Sequence, residues 1–318
     1  VAGKLVVETK SKCSPGETMK RYTAPMSNTL PDKHGDRLTK EALEQLAASV
    51  RMSLIPINIE HDPRGGPCGR VISAEVRERT DGEYEVVAEM EVFEGQIEEL
   101  SDGREIVQNR VDKSESVSII WDRSYLSDVD QSTIQELTHI LKGSSSQEHK
   151  KSVEPLSIFW VVGGFMGLVG SSLAAGFFGK MGADAWDALR SKLSTLMKRK
   201  AESHDEYLLI FAFQVRQSEG EHIVEVEVCI ENPQGQDIDN FLGEGINILD
   251  TVVPAYIEAE TKLRKLFFVY GSGGLELQYG VRRDCASIKF NRSTRQVLER
   301  QLLRGAQDYA ADTRTSRG

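Results

Sequence analysis

The sequence lacks several features that would have narrowed its chemistry at once. Its four cysteines, Cys13, Cys68, Cys229 and Cys285, lie far apart with no Cys-x-x-Cys pair. That spacing fits neither a zinc site nor a disulfide framework and points to a reducing compartment. Positive charge is in deficit: the formal net charge is −10, whereas a general nucleic-acid binder carries a basic face to neutralise phosphates. Nucleic acid is therefore not expected as a partner. The opening "VAGKLVVETKSK" has an apolar run too short for a signal peptide, so a cytoplasmic protein is expected. No internal repeat is found. What is present suffices for folding, since 318 residues at 39% hydrophobic and 28% charged can bury the cores of two ordinary domains.

Three textures follow one another. Residues 1–142 read as α/β with a strand bias, in "KLVVET", "LIPINIEH", "GRVISAEVRE", "YEVVAEMEV" and "SVSIIW". One helix interrupts them: Thr39 is a suitable N-cap, and "KEALEQLAASV" sets Leu43, Leu46 and Val50 on one face. The polar, Ser-rich stretch at residues 143–155 reads as a linker. A second region, 156–203, opens with 24 residues from Leu156 to Gly179 without a charge. That exceeds the roughly 18 apolar residues at which a membrane-spanning helix becomes a candidate. Gly163 with Gly167, and Ser172 with Gly176, give the small-residue spacing that lets helices approach closely. The expectation is one or two helices that contact a membrane, self-associate with a second copy, or form a buried Gly-rich hairpin. The amphipathic "DAWDALRSKLSTLMKRK" follows as a helix. The third region, 204–318, reads as an α+β module. It has a strand pair "EYLLIFAFQV"/"HIVEVEVCIE", a long helical stretch broken near Pro254, a Gly-turned hairpin and a closing helix.

Of six histidines, His149, His204 and His222 read as solvated surface, and His34 sits in the turn "PDKHGDR". His61 and His139 remain as chemical candidates. A serine nucleophile needs an adjacent base, and the base needs a group to hold its tautomer. Ser118, in the apolar strand "SVSIIW", is the available serine. Cys68 lies seven residues from His61, but nothing nearby in the sequence lowers its pKa, so it reads as a gap-filling residue. Asp32, Asp36 and Asp62 read as caps of a turn and a helix in preference to a metal cluster.

The order of these elements carries a resemblance. Asp32, Gly35 and Asp36 precede a helix; a strand then ends in His61-Asp62; Pro67, Gly69 and Val71 follow; and Val117-Ser118-Ile119 comes later. Over about residues 1–145 this resembles the phage prohead maturation proteases, relatives of the herpesvirus assemblins. The resemblance implies a β-barrel flanked by helices that cleaves protein substrates without metal or cofactor. In it Ser118 would be the nucleophile, His61 the general base and His139 the orienting third member, with Glu136 as fallback on the strand after the serine. Where the family has Gly and then an aromatic after Ser-Ile, this chain has Ile120 and Trp121. The whole is thus expected to be α+β: an assemblin-like barrel, a Gly-rich hydrophobic helical segment and an α+β accessory domain. Two other readings stand beside it. One is a catalytically degenerate scaffold or sensor that kept the barrel, and the other is a membrane-associated effector acting through residues 156–179.

Overall fold

Alternation in "GRVISAEVRE" and "YEVVAEMEVF" buries one side of each strand and leaves charge on the other, and such strands pair into a sheet with one wet face. The computed structural model of the chain describes residues 19–31, 37–58, 62–93, 118–122, 128–148, 157–168, 183–201, 206–216 and 223–288. They fall into two units, each α+β. The first comprises Val1–Gln108, Lys150–Pro155 and Val281–Ser287, and the second comprises the remainder.

In the first unit, strands β1 (Met19–Asn28), β2 (Ile55–Ile57), β3 (Gly69–Glu78) and β4 (Tyr84–Phe93) form an antiparallel sheet in the order β1-β4-β3-β2. Helix α1 (Lys40–Met52) packs on it. The Ala42 amide donates to Thr39 Oγ1 at 3.2 Å, and Leu43, Ala47 and Val50 are buried with Val71, Ala74, Val86 and Ala88. The closed barrel that the resemblance implies is not formed by the described strands; the sheet is open. Helix α1 covers the apolar face of this sheet, and the other face carries Arg21, Arg70, Glu89 and Glu91.

Three of those charges form a ladder. Glu91 pairs in register with Arg21 on one side and Arg70 on the other. Arg70 Nε donates to Glu91 Oε2 at 2.8 Å and Arg21 Nη2 to Oε1 at 3.0 Å. Arg70 is fully buried, and its Nη1 donates to the Asp284 carbonyl at 2.8 Å. The segment Val281–Ser287 is thus fastened to this sheet from far along the chain.

The second unit is built on an eight-stranded mixed sheet, order β12-β11-β10-β9-β8-β7-β5-β6. Its strands are β5 (Ser118–Asp122), β6 (Ser144–Glu148), β7 (Ser157–Leu168), β8 (Tyr207–Arg216), β9 (Ile223–Glu231), β10 (Leu263–Gly271), β11 (Gly274–Arg282) and β12 (Ser287–Ile288). The parallel pairs β5/β6, β7/β8 and β9/β10 need crossovers. These contain α2 (Asp128–Ile140), α3 (Ala183–Ala201), and α4 (Gly235–Asn240) continued through a π-helical turn, Phe241–Gly245, into α5 (Ile246–Ala259). All the helices contribute to one core with alternate residues of the central strands, among them Phe159, Val161, Leu209, Phe211, Val226 and Leu266.

Several expectations change. Residues 157–168 are not helical but are strand β7, inside the sheet. Its residues Ile158 to Val162 are at most 1% exposed, so both faces are covered and the run reads as continuously apolar. Residues 169–182 lie outside the described set. Among the described residues no helix is long and apolar enough to cross a membrane. Within the expected linker, Ser144–Glu148 is strand β6, paired with β5. The long C-terminal helix runs unbroken through Pro254, and its irregularity falls at the π-turn instead. There Gly245 packs so tightly that a Cβ would lie 2.7 Å from Phe241 and 2.9 Å from Tyr270. The expected β8/β9 hairpin and helix α3 are present, while the closing helix and tail lie outside the described residues.

Candidate functional site

The motif residues around His61 have structural duties that can be read one by one. Ile57 of β2 pairs with Gly69 of β3, so the chain between them is a hairpin loop with joined ends. The Cys68 amide donates to the Ile57 carbonyl at 2.8 Å, and the Cys68 carbonyl accepts from the Phe93 amide at 2.9 Å. A Cβ at Gly69 would sit 2.4 Å from the Glu91 carbonyl, so only glycine allows β3 and β4 this approach. Pro67 and Val71 are buried, and Gly66 takes φ of 72°, a conformation that favours glycine. Cys68 fills space as expected: its Sγ donates to the Ile57 carbonyl at 3.3 Å, and burial raises the thiol pKa.

Asp62 is the N-cap of a 3-10 turn, Pro63–Gly65, accepting from the Arg64 amide at 2.9 Å. The Arg64 side chain then closes on the same carboxylate, Nε at 3.0 Å from both oxygens and Nη2 at 2.7 Å from Oδ2. Burial acts to raise the Asp62 pKa, but these bonds and the adjacent charge outweigh it and hold the carboxyl below its ordinary value. A role for Asp62 in a metal cluster is therefore displaced by Arg64. Among the described residues no group of three or more His, Cys, Asp or Glu could hold a metal ion. His61 itself, with Asp32, Gly35, Asp36 and Val117, lies outside the described residues.

Ser118 opens β5, half-buried, with Val162 of β7 and Ser144 of β6 as its cross-strand neighbours. Its Oγ lies 2.7 Å from Ser144 Oγ, so its partner here is another hydroxyl and not an imidazole. Ile120 is 7% exposed and pairs with the fully buried Trp160. His139 lies not on a strand but in the last turn of α2, exposed. The residues around it follow helical spacing, with Ile134, Leu137 and Leu141 buried on the core side. Among the described residues no hydrogen bond joins His139 to Ser118. Glu136 is ion-paired with Lys192 of α3, which lowers its carboxyl pKa. Ser118 and His139 belong to the second unit and His61 to the first.

Sequence reasoning passed over Arg64, Arg70 and Glu91. Arg64 had a local signal, an arginine two residues after the aspartate of a Pro/Gly turn. Arg70 and Glu91 had none, because their burial depends on the distant Val281–Ser287 segment. No protein-family model, no curated protein and no solved structure matches this chain.

Proposed function

We propose that the chain is a serine endopeptidase of the prohead-protease type, cleaving protein substrates by acyl transfer. Ser118 attacks the peptide carbonyl, His61 takes the hydroxyl proton and returns it to the leaving amine, and His139 is the third, orienting group. The observation that supports this is the β2/β3 loop. Of the residues quoted for the resemblance, Pro67 is buried in the loop between β2 and β3, Gly69 and Val71 are packed at the start of β3, and Asp62 caps the loop's turn.

A second reading is favoured by the Ser118–Ser144 bond and by Ile120: a non-catalytic scaffold in which this serine only ties β5 to β6. One experiment separates the two. The full chain is treated with a fluorophosphonate and offered an unstructured protein substrate, alongside Ser118→Ala, His61→Ala and His139→Ala. Peptidase chemistry gives a label on Ser118 and cleavage that falls by about a hundredfold or more in the first two variants. A variant carrying both Ser118→Ala and His61→Ala is no worse than either single one, because such groups fail as a unit. His139→Ala is milder. Cleavage equal in wild type and Ser118→Ala rules out Ser118, and no label with no cleavage selects the scaffold.

A further inference from the structure

We infer that Ser144 is a positioning residue for Ser118, holding its hydroxyl toward the edge of the sheet; the inference rests on the peptidase reading for its chemical meaning. The two serines stand directly opposite each other on the parallel strands β5 and β6. Neighbouring strands lie about 4.8 Å apart, so hydroxyl oxygens 2.7 Å apart must each be turned toward the other across the pair. On its other flank Ser118 has Val162 of β7, which is 1% exposed. Turned that way, the oxygen would meet covered apolar surface. Turned toward Ser144 it faces β6, the last of the described strands on this side of the sheet, where Ser144, Ser145 and Ser146 are all exposed. That is the side from which a peptide carbonyl can reach it.

Ser144 is itself held by backbone. The chain leaves α2 through a turn in which the Lys142 amide donates to the His139 carbonyl at 3.2 Å and the Gly143 amide to the Thr138 carbonyl at 3.0 Å. Lys142 takes the left-handed conformation of such a helix end, with φ of 48°. Ser144 follows at once and opens a ladder of five register pairs, from Ser118/Ser144 to Asp122/Glu148. That ladder already joins β5 to β6, and water competes for an exposed hydroxyl pair, so the bond between the oxygens adds little to holding the strands. Its main effect is on the side-chain conformation of Ser118. Such a side chain has three staggered wells, and confining it to one raises its time in the reactive orientation from about a third to nearly all, a gain of about threefold in rate.

The full chain is compared as wild type, Ser144→Ala, Ser144→Thr and Ser145→Ala. Each is treated with a fluorophosphonate over a range of concentrations, and the label on Ser118 is followed by mass spectrometry. In Ser144→Ala the limiting labelling rate is expected to fall about threefold, with the half-saturating concentration unchanged. Ser144→Thr keeps a hydroxyl and restores most of the rate. Ser145→Ala, at the exposed residue opposite Ile119, changes neither quantity. Denaturant midpoints of Ser118→Ala, Ser144→Ala and the variant carrying both test the bond apart from any chemistry. A double loss smaller than the sum of the single losses upholds it, and losses that simply add overturn it. A limiting rate equal in wild type and Ser144→Ala overturns the positioning role, while the label on Ser118 leaves the peptidase reading standing. A fall that Ser144→Thr does not repair overturns the role as well. No label on Ser118 in the wild type overturns the peptidase reading and the role of Ser144 with it.

Discussion

Gly69 shows how one residue sets the spacing of two strands. Its missing side chain lets β3 lie against the Glu91 carbonyl, and this happens at the residue that closes the His61 loop. Gly69→Ala forces the two strands apart or bends them, and overpacking of this kind costs about 1–3 kcal/mol. The expected outcome is a lower denaturant midpoint together with faster amide exchange at Cys68 and Phe93, whose bonds flank the site. An unchanged exchange rate at both would show that the approach is slack. The glycine was legible in the sequence as part of a motif, but its reason was not. Contact with Glu91, twenty-two residues later, exists only once β3 and β4 are in register. Ser118 was legible as a strand residue, but its hydroxyl partner Ser144 was not, because that pairing exists only once β5 and β6 are in register.

At the scale of elements, the eight-stranded sheet carries an unusual group on its central strands. Lys265 of β10 lies 2.6 Å from Glu227 Oε2 and 3.5 Å from Glu225 Oε1 of β9, with Glu225 directly opposite it in register. Both glutamates are buried, and Lys265 is three-quarters covered. Removing the cation from such a group takes away part of the charge compensation of two buried carboxylates, so Lys265→Met is expected to destabilise by about 3–5 kcal/mol. Chemical denaturation measures this, and a loss below about 1 kcal/mol, the range of exposed pairs, would mean that water reaches the carboxylates. Element types were legible where one face of an element is wet. Helix α1, with its cap and its Leu43/Val50 stripe, and the β8/β9 pair came out as expected. They failed where both faces are covered. Strand β7, apolar at every position from Ile158 to Val162, has lost the alternation that distinguishes a strand from a membrane helix. Helix α2 falls where the resemblance implies a strand, yet Ile134, Leu137 and Leu141 follow helical spacing and are buried on its core side.

For the molecule as a whole, the resemblance covers about residues 1–145 and is divided after Gln108, and the first unit, which holds its larger part, also includes Val281–Ser287. There Arg282 Nη2 donates to Asp284 Oδ2 at 2.9 Å, and the Ala286 amide donates to Asp284 Oδ1 at 3.0 Å. Cys285 is fully buried in a left-handed conformation with φ of 69°. Burial raises the pKa of its thiol far above the ordinary range. In the full chain Arg70→Met removes the donor to Asp284 and half the support of Glu91, with an expected cost of about 3–5 kcal/mol. Cys285 should then react with an alkylating reagent under conditions in which the wild type is protected. Protection and midpoint both unchanged would mean that Arg70 is not what holds the segment.

That same bond spans 214 positions of sequence. At about 5–20 residues per second, the interval between synthesis of Arg70 and synthesis of Asp284 is roughly 10–40 s. Throughout it, a guanidinium destined for full burial has no Asp284 carbonyl to meet, and the sheet around it stays partly uncovered on the nascent chain. The first unit to leave the ribosome is therefore completed only after nearly all of the second has been made, which leaves a long window for chaperones and proteases to act on it.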